Sequence, residues 1–330
     1  MTSADVIGRI RGSLSEGGWT ATGAVISDAD RLRKNQQIDL WYNMFVAGTW
    51  ESVRRPAFSG HLVPEQWEKT IQASNAPFTA ATAQEMLKLG RIQGVYFASV
   101  ASGPANDHQI VDMTYADIID HILGKASEYG HCNFIKGVWP EGICEKNIDF
   151  ASSSEVQYYS LKEGVFWTRA VEIANIDRYI LYVDKTNTIN YIPHPMFGGS
   201  LPDPVIALTS DLLLEPLRIE PRNEVVGQVI VNGATPAGLQ ITGKYPSQPS
   251  YGPVVNLSGY LATGATQMNA IAEREYRYEN RDTVVTARLP GAMGLLLEIV
   301  DRVAITYTSS ADGVSWSSKK FWVNSIEVEV

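Results

Sequence analysis

The sequence predicts an α+β fold that is mainly β, with two small β-barrel domains (1–111 and 201–330) and an α+β domain (112–200) between them. Three observations predict it. From about Ala21 to Val111, short apolar runs alternate with Gly, Asp and Asn turn residues, the pattern of a closed or nearly closed barrel. From Thr114 the apolar spacing becomes helical. From Asp282 to Val330 it returns to strands, and there it echoes the N-terminal part. A polar, charged lead-in (Asp30 to Gln37; Glu298, Asp301, Arg302) precedes a strand-like run, Ile38–Trp41 or Val303–Tyr307, and each run is followed by a turn and an aromatic-containing strand.

Strands are expected at Ala24–Ile26, Ile38–Trp41, Phe58–Val63, Lys69–Gln72 and Gly94–Val100, with one or two helical turns at Thr82–Leu89. A helix follows Thr114, which serves as N-cap with Asp117 three residues on; it places Ile118, Ile119, Ile122 and Leu123 on one face, and Gly124 is a point for a kink or an end. A second helix carries Val165, Phe166, Ala170, Ile173 and Ala174 on one face, with Ser160 and Glu163 spaced as a capping box. Tyr179–Asp184 and Thr188–Pro193 flank Lys185-Thr-Asn as a hairpin. Met196–Pro204 reads as a linker. Leu213–Val231 is extended, and a Gly/Pro/Ser-rich stretch, Thr235–Pro253, leads to a helix over Thr266–Arg277. The second barrel is therefore expected to be interrupted by an insertion at about 234–280.

Composition narrows the function classes. Hydrophobic residues make up 45% and charged residues 19%, which suits a folded chain with large cores. The net charge of −9 argues against specific nucleic-acid binding, because phosphate contacts rest on clustered Lys and Arg. Arg31-Leu-Arg-Lys34 is the longest basic run, and a solvated strand end explains it. The first residues lack an apolar signal core and no apolar stretch is long enough to span a bilayer, so the expectation is a protein first folded in the cytoplasm, without a membrane segment. Two cysteines, Cys132 and Cys144, fit a reducing compartment.

Candidate chemistry is thin. His121, His131, Cys132 and Cys144 are ligand types that zinc accepts, yet their spacings match no standard zinc pattern, and small buried cysteines beside a packed histidine explain them as well. Glu141 and Glu145 flank Cys144; Glu273 and Glu275, two apart on a helix, face different directions and so do not act as a glycan-cleaving pair. Glu273, Arg274, Glu275 and Arg277 read as a solvated or subunit-facing helix surface. No Gly-x-Ser-x-Gly elbow occurs, Gly198–Ser200 lies in the linker, and Gly291–Gly294 lacks the Lys-Ser/Thr ending of a phosphate loop, so Pro290-Gly291 reads as a turn. Trp41, Tyr42, Phe45, Trp50, Trp316, Phe321 and Trp322 lie on the two barrel-like halves, and Trp167 on the second helix; core or interface packing accounts for them better than sugar stacking. No catalytic, cofactor-binding or metal-binding residue is assigned, and no enzyme activity is expected.

Three stretches, "KEGVFWTRAVEIANIDRYILYVDKTNTINYIPHP", "LRIEPRNEVVGQVIVNGA" and "ENRDTVVTARLPGAMGLLLEIVDRVAITY", resemble the hub proteins of phage tail tips and baseplates, whose fold is shared with the N-terminal part of type VI secretion spike proteins. The resemblance covers about Ala24 to Val330 and rests on element order and local phrases. It implies two similar barrels per subunit and a homotrimer about the tail axis. The ring would join the tail tube to the tip or spike, around a channel for DNA or tape-measure protein. An acidic lumen would repel phosphate and favour passage. The implied partners are the tail tube or distal tail adaptor, the tip or spike protein and the tape-measure protein, and the implied location is the virion tail, assembled in the host cytoplasm. The last residues, "SIEVEV", carry no lysozyme, peptidase or spike sequence, so cell-wall hydrolysis is expected of another protein. Two rivals are a carbohydrate-binding or glycan-cleaving tail protein and a hexameric distal tail adaptor ring.

Overall fold

The computed structural model describes residues 6–25, 37–43, 45–46, 49–50, 54–63, 76–93, 95–98, 113–129, 144–153, 155–156, 158–194, 203–221, 225–235, 239–261, 264–280, 283–311 and 313–329. The fold is α+β and mainly β, as the sequence predicts, with curled sheets that include a half-barrel. The expected strand Lys69–Gln72, the basic run Arg31–Lys34 and most of the Met196–Pro204 linker lie outside the described residues.

An antiparallel six-stranded sheet runs in the order Ser325–Glu329, Val6–Ser13, Gly18–Val25, Ala76–Ala81, Arg55–Leu62, Gln37–Tyr42. Its first hairpin closes through Gly17, whose φ of +80° is open to glycine and strained for other residues. The C-terminal strand pairs with the N-terminal one, Ile326 opposite Gly12 and Val328 opposite Ile10. A second sheet holds Ile206–Thr209, parallel to Arg302–Ser309, which pairs in turn with Val314–Trp322. Both sheets cover one core: Ile10, Trp19, Phe58 and Leu62 pack in the same cluster as Leu208, Val303, Ile305 and Tyr307.

The α+β part holds α1 (Ala83–Leu89), α2 (Tyr115–Glu128) and α3 (Phe166–Asp177) against the sheet Glu145–Ile148, Thr188–Pro193, Tyr179–Val183. α2 starts as expected. The Thr114 side chain accepts from the Asp117 N–H, and the Asp117 carboxylate accepts from the Thr114 N–H at 2.7 Å. α2 does not end at Gly124 but continues to Glu128. The glycine's cost of about 1 kcal/mol is outweighed by the burial of Ile118, Ile119, Ile122 and Leu123, each worth about 1.5–3 kcal/mol. The capping box expected at Ser160 and Glu163 does not form. Ser160 lies in the strand Tyr158–Leu161, paired with Val95–Ala98, and Gly164–Val165 pairs with Arg91–Ile92. These ladders take the backbone groups that an earlier helix start would need, so α3 begins at Phe166, without a side-chain cap.

Arg218–Pro221 and Thr283–Thr286 form a two-stranded ribbon. It leads to a separate unit: the sheet Gln240–Tyr245, Gln228–Ala234, Val254–Leu261, covered by α4 (Ala265–Glu279), with its own core of Val226, Val229, Val231, Met268, Ile271 and Ala272. α4 approaches this sheet closely at Gly243, where a Cβ would stand 2.1 Å from the Met268 carbonyl carbon. Pro290, expected in a turn, is instead the N-cap of a short helix, α5 (Gly291–Leu296). Proline tolerates this place because a helix start leaves its N–H groups unpaired anyway.

Candidate functional site

The chemically richest described place is a joint where three distant segments meet. Glu298 follows α5 in the run Leu295-Leu-Leu-Glu-Ile-Val. Its Oε1 accepts from Trp19 Nε1 at 2.6 Å and from the Ile299 N–H at 2.9 Å, and its Oε2 accepts from the Lys185 N–H at 3.0 Å. Trp19 belongs to the N-terminal hairpin and Lys185 to the turn after Tyr179–Val183, so one carboxylate ties the six-stranded sheet, the α+β part and the C-terminal segment together. The Lys185 carbonyl accepts from the Ser59 N–H at 2.7 Å, and its Nζ donates to the carbonyls of Leu295 and Leu297 at 2.6 and 3.1 Å. Asp301 accepts from the Glu298 N–H at 2.7 Å.

Burial dominates the electrostatics here. It pushes the Glu298 carboxyl up to about 7 against the pull of its N–H donors, and it raises Asp301. It lowers Lys185, opposed by Glu298, Asp301 and Asp184, and it raises the Tyr182 phenol nearby. Each carboxylate is engaged by backbone or indole N–H groups, and neither lines the cavity described next. The arrangement suits a joint rather than proton transfer to a substrate, which needs an acid within reach of a bound molecule.

A cavity of about 340 Å³ lies between α3 and α4, lined by Trp167, Val171, Asn175, His194, Arg274 and Glu275 among others. Arg274 is 7% exposed and pairs with Glu275; its Nη1 donates to the Asn175 carbonyl at the end of α3. Burial, with Arg274 beside it, holds the His194 imidazole down at about 4. The reading of Arg274 as part of a solvated or subunit-facing helix surface is therefore corrected: within the single chain it is buried, satisfied by the α3 end and the Glu275 carboxylate.

Only some of the sequence-derived candidates lie among the described residues. His121 is half-buried on α2, and Cys144 is buried in the α+β core; His131, Cys132 and Glu141 lie outside the described residues. Among the described residues, no group of three or more His, Cys, Asp or Glu could hold a metal ion. Glu145 is exposed on its strand, and Glu273 pairs with Arg277 at 2.6 Å, one turn along α4. Trp167 is buried and Tyr42 packs on the shared core. Trp316 lies between Tyr307 and Phe321, at ring distances of 6.4 and 5.2 Å, with Lys319 Nζ over its face, and Arg302 covers Trp322. These rings pack on one another and under cations. Trp41 is exposed on the outer strand of the six-stranded sheet. For Phe45 and Trp50 the structure gives a backbone pairing with each other.

Sequence reading missed the joint itself. Glu298 passed as part of a polar lead-in and Lys185 as a turn residue. The available signal was a lone carboxylate inside the apolar run Leu295–Val300, since a buried acid needs dedicated donors.

No family model and no curated protein matches the chain. Solved structures match over nearly all of it. A tail protein from Neisseria meningitidis MC58 aligns with 97% of this chain and 86% of its own, at a TM-score of 0.56 and 12% identity. The 43 kDa tail protein of prophage MuSo2 from Shewanella oneidensis aligns with 99% and 90%, at 0.55 and 12%. An E. coli component of the type VI secretion system, described as structurally similar to the phage T4 tail proteins gp27 and gp5, aligns with 98% and 69%, at 0.50 and 12%. The chain has the fold of these tail proteins, a fold that a type VI secretion component also builds.

Proposed function

We propose that this protein is a structural hub of a phage tail tip or baseplate, or of a related injection device. In this reading it forms a homotrimeric ring in the virion tail, assembled in the host cytoplasm. The ring joins the tail tube or distal tail adaptor to the tip or spike and surrounds the central channel, where tape-measure protein or DNA passes. The observation that carries the reading is the agreement of fold with tail proteins over 97–99% of the chain, not over one common module. Residues 1–111 and 201–330 supply the two barrel contributions of each subunit, and residues 112–200 the part between them. The function is mechanical, and no reaction is assigned to the chain.

Two features support assembly. Among the described residues, the strands Gln37–Tyr42 and Val314–Trp322 each end a sheet, so each leaves one row of backbone groups for pairing outside that sheet. The first carries Asp39 and an exposed Trp41; the second carries Lys319 and Lys320. Aromatics and opposite charges of this kind suit interfaces between subunits. A permanent ring contact is expected to bury on the order of 2,000 Å² or more.

Light-scattering mass on the purified protein, with negative-stain class averages, tests the reading. A trimer with a central hole is expected. A hexameric ring would overturn it in favour of a distal tail adaptor, and so would a monomer that binds neither tail-tube nor adaptor protein. Binding to glycans by that monomer would move the reading to the carbohydrate class.

A further inference from the structure

The unit built by Val226–Asn280 differs from the rest of the molecule in how it is attached. Its core of Val226, Val229, Val231, Met268, Ile271 and Ala272 is separate from the other two hydrophobic cores. Its two ends are clamped to each other: Asn280 Oδ1 accepts from the Val226 N–H, and Asn280 Nδ2 donates to the Val226 carbonyl, both at 2.9 Å. α4 is pinned to its own sheet by Asn269, which accepts from the Lys244 N–H at 2.9 Å. The unit is thus closed on itself, and the ribbon Arg218–Pro221/Thr283–Thr286 carries it.

Where the unit meets the body, polar side chains of α4 make the described hydrogen bonds across the seam. Gln267, Ala270 and Arg274 stand on one face of α4, at spacings of three and four. Among the described residues, Gln267 Nε2 donates to the Tyr115 hydroxyl of α2 at 2.7 Å, and Arg274 Nη1 donates to the Asn175 carbonyl of α3. The cavity of about 340 Å³ opens along this seam. Water that enters it can take over both kinds of hydrogen bond at small net cost. Separating the seam also strands no buried charge, because Glu275, the carboxylate that pairs with Arg274, is on the same helix and travels with it. A polar contact between separately cored units is the ordinary setting for rigid-body motion.

We infer that residues 226–280 form an arm that undocks from α2 and α3 as a rigid body, pivoting on the ribbon Arg218–Pro221/Thr283–Thr286 and separating at the Gln267–Tyr115 and Arg274–Asn175 contacts. The arm has a docked position, the one in this structure, and an open one in which the seam is hydrated. This inference does not depend on the assembly proposed above; it concerns the single chain.

The test is a pair of spin labels on the full chain, at Tyr251→Cys on the arm, where the native residue is 99% exposed, and at Lys162→Cys on the body, an exposed turn before α3. Cys132→Ser removes the other labelling site, and the buried Cys144 stays. Double electron–electron resonance is expected to give one main distance in the otherwise unaltered protein. In Gln267→Ala/Arg274→Ala a longer distance is expected to rise at least about tenfold relative to it, the effect of losing a charge-assisted and a neutral hydrogen bond. Amide exchange of α4 is expected to stay slow in both. An unchanged single distance in the double variant overturns the inference. So does a longer distance accompanied by fast exchange throughout α4, which would mean that the arm unfolds instead of moving. Should the double variant not fold, Gln267→Ala alone is read in the same way.

Discussion

Glu298 makes the protein's stability depend on pH in a direction opposite to that of ordinary acid denaturation. Its carboxyl is raised from the usual 4.5 to about 7, so between those values the folded chain holds a proton that the unfolded chain has released. The associated stability is complete below 4.5 and is lost as pH rises through 7. The difference of 2.5 in pKa (7 − 4.5) corresponds to about 3 kcal/mol, a substantial part of a typical net stability of about 5–15 kcal/mol. Glu298→Gln removes the ionisation at a cost. Three N–H donors converge on the carboxylate, from Trp19, Lys185 and Ile299. The glutamine oxygen can keep two of them, but its NH2 then faces a donor and leaves it unsatisfied, at about 1–3 kcal/mol. The variant is therefore expected to be less stable than the parent at pH 5 and to close much of the gap by pH 8. Urea unfolding followed by tryptophan fluorescence across that range gives both curves, and their difference isolates Glu298 because all other titrating groups are common to both. Parallel curves would refute the reasoning.

His61 acts in the other sense. It is 3% exposed, neither ring nitrogen has a hydrogen-bond partner, and burial lowers its pKa to about 4, so stability is lost as pH falls from 6.5 towards 4; His61→Leu is expected to raise stability by about 1–3 kcal/mol and to move the acid-unfolding midpoint, followed by circular dichroism, to lower pH. Gly243→Ala forces α4 off its sheet, since the new Cβ would meet Met268 backbone; amide exchange is expected to speed up in α4 while the cores around Phe166 and Phe58 stay protected.

Much of the fold was legible because local signals and burial agree. Thr114, Asp117 and the Ile118–Leu123 stripe define α2 in the sequence and in the structure alike, and Tyr179–Pro193 folds as the hairpin its turn predicts. Ser160 and Glu163 show where this logic stops. Their spacing is right for a cap, but pairing of Tyr158–Leu161 with Val95–Ala98, some sixty residues earlier in the chain, captures the backbone first. The joining of Ser325–Glu329 to Val6–Ser13 was equally hidden, because edge pairing between the two ends of a chain has no local signature. The joint and the α3–α4 seam were hidden for a related reason. Arg274 and Glu298 are charged residues in a sequence, and only tertiary packing reveals that one sits on the end of a helix and the other under an indole.

The two charged residues do opposite mechanical work. Glu298 receives hydrogen bonds from elements far apart in the chain, and the core around it mixes Ile10 and Trp19 with Ile326 and Val328. Pulling any one of those elements away exposes shared apolar surface at about 25 cal/mol per Å² and strips donors from a buried carboxylate, so the sheets and the α+β part respond to load as one body. Arg274 carries its counter-ion on its own helix and reaches the body through a carbonyl that water can replace. Among the described residues, the arm's hydrophobic core is separate from the two cores of the body. In the ring proposed above, contacts of the first kind would hold the body in register, and contacts of the second kind would confine the proposed motion to the arm, where displacement leaves the body's joint intact.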